Sequence, residues 1–227
     1  GDNKWFEYWK EERMKWYIDL GMKKENLRFK PHAKDELAHY ARAAEDVEYR
    51  FPFGWHEIEG IHNRGDWDLS RHSQFSGEDL SETDEKTGKK FYPYIIETSA
   101  GVDRLTLAFM ADAYNDDQKD RLVLALNPKL APYKVAVFPL LRNKPELVAK
   151  AKEIYQDLKK EFMVAFDDRG NIGKRYYSQD EIGTPFCITI DFETLENDDV
   201  TVRNRDTMKQ ERIKIKDLVT FFKNVIY

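Results

Sequence analysis

Apolar and polar positions change period several times along the chain. Trp5, Trp9, Trp16 and Leu20 recur at spacings that suit one helical face, and Gly21 is well placed to end that helix. Asp35 to Ala44 reads as a second helical stretch. Val47, Tyr49 and Phe51 alternate, and Trp55, Glu57, Glu59 and Ile61 alternate beyond Pro52-Phe53-Gly54. This predicts a β-hairpin with both carboxylates on the face of Trp55 and Ile61. Residues 76–90 are charged and rich in small polar residues, which predicts an exposed loop. The aromatic and β-branched run that starts at Phe91 predicts a strand over 91–97, followed by an amphipathic helix over 102–115.

Asn127-Pro128 to Ala131-Pro132 reads as a domain boundary, separating residues 1–132 from 133–227. Beyond it Val135, Val137 and Phe138 begin an apolar strand. Asn143 is placed to cap the next helix, with Pro145 in its first turn and Leu147, Val148, Ala151, Ile154, Tyr155 and Leu158 on one stripe. A strand at Met163 to Phe166 and a short helix over 171–179 follow. Strands near 185–191, 199–204 and 210–215 and a final helix from Lys216 complete the chain. Strand–helix repetition followed by antiparallel strands predicts an α/β domain with a mixed sheet.

A length of 227 residues, 41% of them hydrophobic, allows one or two globular domains. No apolar run is long enough to cross a bilayer, so no membrane partner is expected. Cys187 is the single cysteine, no Cys/His cluster has zinc spacing, and a reducing, cytoplasmic compartment is the natural reading. The net charge of −5 does not by itself suggest nucleic acid. Residues 133–227 hold 17 basic and 16 acidic side chains, against 20 and 26 in residues 1–132. Affinity for RNA would therefore have to come from a local cluster and from base recognition rather than general attraction to phosphate.

The junction Glu97-Thr98-Ser99-Ala100-Gly101-Val102-Asp103-Arg104 carries the clearest chemical signal. Arg104 falls in the first turn of a helix, the electrostatically wrong end for a cation. Either a nearby carboxylate pairs with it, or an anion such as phosphate sits between it and the free backbone N–H groups. Read alone, Glu57 and Glu59 are solvated carboxylates on a half-exposed strand. The charges Lys174-Arg175, Asp180-Glu181 and Arg203-Asn204-Arg205-Asp206 read alone as a self-neutralising surface.

Gly101-Val102-Asp103-Arg104-Leu105-Thr106-Leu107-Ala108 after Glu97-Thr98-Ser99-Ala100 resembles motif 3 of the class II aminoacyl-tRNA synthetases, in particular glycyl-tRNA synthetase of the homodimeric type. The resemblance extends upstream through 53–60 and Asn63-Arg64. Downstream it runs through 167–176, 179–186 and 203–210, so it covers nearly the whole chain in family order. It implies an α/β (α+β) fold: part of the antiparallel-sheet catalytic region in 1–132, with motif 3 at 97–108, then an α/β anticodon-binding domain in 133–227 with helices flanking a mixed sheet. Motif 1 and the motif 2 arginine have no counterpart that can be placed, so this chain alone is not expected to be catalytically competent.

The implied activity is glycine–tRNA ligase, with glycine, ATP, Mg²⁺ and tRNA-Gly as the small molecules and partner, and a homodimer in the full-length enzyme. Arg104 matches the arginine that clamps the terminal phosphate of ATP. Glu57 and Ile58 match a strand lying against the nucleotide, with Glu57 a candidate Mg²⁺ ligand. Glu97 would take the glycine ammonium and Ser99 would crowd the pocket against larger amino acids, with Arg64 a candidate for the carboxylate. Thr98 stands where bacterial relatives commonly have proline. Lys174, Arg175, Asp180, Glu181, Arg203 and Arg205 are the candidate anticodon readers, because cytosine edges call for carboxylates and guanidinium groups together. A non-catalytic relative such as the accessory subunit of mitochondrial DNA polymerase is the alternative. Such a relative has little reason to keep Glu57, Glu97, Ser99 and Arg104 together.

Overall fold

Alternation around the Pro52-Phe53-Gly54 turn becomes the centre of an antiparallel sheet in a computed structural model, which describes residues 1–118 and 121–227. The chain divides into two compact units, Gly1–Asp112 and Ala113–Tyr227.

In the first unit, helix α1 (Asp2–Asp19) stops before Gly21, whose φ of +100° suits glycine. Strands β1 (Leu27–Pro31), β2 (Ala43–Phe51) and β3 (Gly54–Gly65) follow, then helix α2 (Trp67–Ser76). A small hairpin, β4 (Glu82–Thr83) with β5 (Lys90–Phe91), precedes β6 (Ile95–Ala100) and helix α3 (Val102–Ala113). The sheet order is β1-β2-β3-β6, antiparallel throughout. Phe6 and Tyr17 of α1 and Ala108 of α3 pack with Val47, Tyr49, Phe51, Ile58 and Ile61 in one core.

One irregularity decides what the other face carries. Val47 pairs with Glu59, but Glu48 pairs with Glu57, so Ile58 is an extra residue in β3. Directly paired residues share a face, and the bulge therefore breaks the expected alternation. Glu59 joins the core side and Glu57 the opposite, polar side, where a regular strand would have kept them together.

The second unit begins with a ribbon, β7 (Tyr114–Gln118) and β8 (Arg121–Leu124). Strand β9 (Val135–Pro139), helix α4 (Pro145–Leu158), β10 (Val164–Phe166), helix α5 (Ile172–Glu181) and β11 (Phe186–Ile190) form two successive crossovers. Helix α6 (Phe192–Asn197), β12 (Asp199–Asn204), β13 (Gln210–Lys214) and helix α7 (Leu218–Ile226) complete it. The sheet order is β10-β9-β11-β12-β13, with β9 parallel to both neighbours and β12 and β13 antiparallel. Leu147, Ile154 and Leu158 of α4 and Leu218, Phe222 and Ile226 of α7 cover one face. Ile172 and Tyr176 of α5 pack against Ala136, Phe138 and buried Cys187 on the other. Burial pushes the Cys187 thiol well above its usual range, so it behaves as a small apolar side chain.

Several expectations are revised. Residues 35–44 do not form a helix; they are turns leading into β2, whose pairing begins with Ala43 against Asn63. Strand β6 starts at Ile95, after Pro93, which has no N–H to contribute to a ladder. Asn143 does not cap α4: Lys144 holds the cap position without a side-chain bond. Trp5, Trp9 and Trp16 are exposed, while Phe6 and Tyr17 on the adjacent face enter the core. Strand β1 and helices α2 and α6 had no clear signal, being short or weakly amphipathic.

Candidate functional site

The polar face of the first sheet gathers residues that lie far apart in sequence. Glu97 pairs with His62 and Ser99 with Gly60, so all four positions share a face with Glu57 and Glu48. Arg64 Nη1 donates to Glu97 Oε2 at 2.6 Å. Its Nε and Nη2 donate to the two oxygens of Asp68 at 2.6 and 2.8 Å, and its guanidinium lies 4.0 Å from the centre of the Tyr40 ring. The bonds to Asp68 and then Glu97 hold Arg64 protonated well above its usual range and pull Asp68 below the ordinary carboxylate value. Arg64 thus orients Glu97 from behind, and its Nη1, Nη2 and Nε are already engaged.

Gly60, paired with Ser99, makes room for the His62 ring. A Cβ there would lie 2.7 Å from His62 Cε1, closer than real contacts allow. His62 Nδ1 is buried without a hydrogen bond, and it lies 4.0 Å from Glu97 Oε2.

Arg104, in the first turn of α3, donates through Nη1 to the Glu57 carbonyl at 2.9 Å and stands 3.9 Å from the Glu57 carboxylate. Both side chains are about half exposed. The pair joins a guanidinium and a carboxylate beside a helix N-terminus, an arrangement suited to a phosphate with an accompanying cation. Ile58 is buried, so only its backbone is available on this strand. Among the described residues no group of three His, Cys, Asp or Glu could hold a metal by itself. One carboxylate fits a hard cation that takes its other ligands from phosphates and water.

Sequence reasoning missed Asp46 and Glu48, which are buried on the polar side of β2. Arg28 Nε donates to Glu48 at 2.6 Å, and His32 Nε2 lies 2.9 Å from Asp46. Their signal was the alternation opposite Val47, Tyr49 and Phe51.

In the second unit four of the six candidate readers are interior groups, not the surface charges expected. Asp180 is 0% exposed, and its oxygens accept from Arg121 at 2.9 Å and from both terminal nitrogens of Arg203 at 2.9 and 3.0 Å. Arg205 is 2% exposed and donates to the carbonyls of Leu124, Leu126 and Gly183 at 3.2, 2.8 and 2.7 Å. Arg175 donates to the carbonyls of Pro139, Arg169 and Gly170 at 2.5, 2.9 and 3.0 Å. Desolvation lowers its pKa from the ordinary arginine value. Every buried charge must be paired or hydrogen-bonded, and these are.

Lys174 and Glu181 are exposed but occupy opposite ends of α5, roughly 10 Å apart at 1.5 Å per residue. The Lys174 end adjoins the loops at the carboxyl ends of β9 and β10. Strand β9 is where the order reverses, since one crossover leads to β10 on one side and the next to β11 on the other. Crevices at such points are the usual ligand sites of open α/β sheets. Exposed Arg142, Arg169 and Phe192 follow the carboxyl ends of β9, β10 and β11, with Lys144 Nζ 6.0 Å from the centre of the Phe192 ring.

A mixed sheet whose order reverses at β9, preceded in sequence by an antiparallel sheet carrying the Glu97–Arg104 junction, is the layout expected of part of an aminoacyl-tRNA synthetase. The Anticodon binding domain family matches residues 134–225. Along nearly its whole length the chain is similar to glycine–tRNA ligases: 51% identical over 226 residues to that of Geobacillus kaustophilus, covering 98% of this chain and 48% of the relative. Identity is 53% over 217 residues with that of Caldanaerobacter subterraneus, covering 94% and 46%. It is 53% over 225 residues with that of Thermobifida fusca, covering 94% and 48%. The chain matches the C-terminal part of a glycyl-tRNA synthetase and spans about half the length of these relatives.

Proposed function

We propose that this chain supplies the C-terminal part of a glycine–tRNA ligase, with residues 1–132 completing its catalytic region and 133–227 reading the anticodon of tRNA-Gly. The observation that carries this reading is the shared sheet face of Glu97, Ser99 and Gly60, with Glu97 held by Arg64. A carboxylate fixed from behind and facing solvent is suited to a small ammonium. Ser99 and the His62 ring over Gly60 leave little room for a side chain, so selection of glycine is by exclusion. Arg104 and Glu57 meet ATP and its Mg²⁺ at the helix N-terminus, where the guanidinium stabilises the charge of the departing pyrophosphate.

In the second unit the readers are drawn from the switch-point crevice: Lys174, Arg142 and Arg169 for phosphates and base edges, Phe192 as a stacking face. Arg175 ties together the carbonyls of the two loops that frame it. Glu181 lies at the other end of α5 and contacts RNA outside the crevice. Asp180, Arg203 and Arg205 act through the packing of the domain. The enzyme works in the cytoplasm, and as a homodimer when full length.

The test joins the N-terminal half of the Geobacillus kaustophilus relative to this chain and measures glycine-dependent ATP–pyrophosphate exchange. Exchange comparable to the relative's own supports the reading. A folded chimera without exchange that still binds tRNA favours a non-catalytic, synthetase-like protein instead.

A further inference from the structure

Glu59 is 1% exposed in the core of the first unit, two residues from solvent-facing Glu57. Its Oε2 accepts the Tyr17 hydroxyl at 2.5 Å and its Oε1 accepts Arg13 Nε at 2.7 Å, both partners coming from α1. The Arg13 guanidinium also lies 4.4 Å from the centre of the Trp16 ring. Burial raises the Tyr17 hydroxyl far above its usual range, and the bond to Glu59 adds to it, so Tyr17 remains a donor.

A buried ion pair is a costly way to fill space, since replacing all its members by well-packed apolar side chains is often neutral or stabilising, whereas removing one partner alone is not. A carboxylate adds direction, because it is satisfied only where both donors reach it. The bulge makes direction matter. If the pairing of Val47 with Glu59 continued without the bulge, Tyr49 would face Glu57, which would turn into the core while Ile58 turned outward. If the pairing of Glu48 with Glu57 were extended instead, Asp46 would face Glu59 and Ile61 would leave the core. Only the observed arrangement satisfies both halves of the strand.

We propose that Glu59 is a register lock: its bonds to Arg13 and Tyr17 pin β3 beyond the bulge and so hold Glu57, with the carbonyl that accepts Arg104, on the polar face. Glu59 is a positioning residue, and its importance for nucleotide binding rests on the function proposed above. The register itself does not.

The test is cross-strand NOE mapping of the 227-residue chain, with urea unfolding, for the native sequence, Glu59→Gln and Glu59→Leu. Glutamine can accept from Arg13 and donate to the Tyr17 oxygen, so Glu59→Gln should keep the Glu48–Glu57 and Tyr49–His56 contacts. Glu59→Leu leaves Arg13 and the Tyr17 hydroxyl without their acceptor, so it should fold with a lower midpoint, and it should lose those contacts or double the β3 signals. Native contacts in a single set of signals for Glu59→Leu would overturn the proposal. So would failure of Glu59→Leu to fold, because Glu59 would then act through stability alone. In the chimera, Glu59→Leu should raise the KM for ATP at least tenfold and leave that for glycine nearly unchanged. A shifted register with an unchanged ATP KM would support the lock and instead sink the nucleotide role of Glu57 and Arg104.

Discussion

Arg64 reaches Glu97 with Nη1 at 2.6 Å while its other nitrogens grip Asp68, so the carboxylate near the end of β6 is oriented by a guanidinium that is itself held. Such a relay makes Glu97 rigid without neutralising its outward oxygen. Glu97→Gln in the active chimera should therefore lower kcat/KM for glycine by about 2–4 kcal/mol, roughly 30- to 1000-fold, with little change in the KM for ATP. Steady-state exchange with each substrate varied checks this; unchanged glycine kinetics would reduce Glu97 to a strand-end carboxylate.

Gly60→Ala should push the His62 ring toward Glu97 and Ser99, since the new methyl group would otherwise sit 2.7 Å from Cε1. Overpacking of this kind costs about 1–3 kcal/mol. The expected result is a higher KM for glycine together with a lower urea midpoint. A variant with native glycine kinetics would place the amino acid elsewhere.

Asp180→Ala removes a carboxylate shared by Arg121 and Arg203 in the interior. Leaving buried charges uncompensated should destabilise the second unit by about 3–5 kcal/mol. Urea unfolding followed by the signals of that unit reads the effect. A surface role for Asp180 would leave the midpoint almost unmoved.

Phe192→Ala should weaken binding of tRNA-Gly by about 1–3 kcal/mol while leaving the fold intact, because the ring is exposed and free to stack. Replacing either of the last two anticodon cytosines with uracil should cost a similar amount if a side chain reads the N4 edge. Titrations at matched salt provide the comparison, and equal affinities for all transcripts would point to recognition of backbone shape alone.

Asp191 faces the burial penalty first, but Arg212 and the N-terminal bonds of α6 outweigh it and hold its pKa below 3.8. Asp199, also bound to Arg212, is lowered as well. A carboxylate with a depressed folded value contributes stability in full above the unfolded value and loses it as pH falls through the folded one. The contribution of Arg212 should therefore be constant at neutral pH, begin to fall below about pH 4 and vanish only below the depressed folded values. Arg212→Gln should flatten the acid limb of the unfolding midpoint plotted against pH, and parallel acid limbs would remove the pairing from the account.

Sequence alone determined the larger elements of the second unit, because the apolar positions of α4, α7, β9 and β11 bury where their period says they should. It also marked the Glu97–Arg104 junction as a strand leading into a helix, since that signal is local. Tertiary structure decided which charges are interior. Asp180, Arg203 and Arg205 belong to a polar stretch whose pattern is the same whether its partners are water or Arg121 and the carbonyls of 124 and 126. It decided the faces of Glu57 and Glu59 as well. A bulge depends on how one strand pairs with another, and no periodicity within 54–65 can report a partner that lies on β2 or donors that lie on α1.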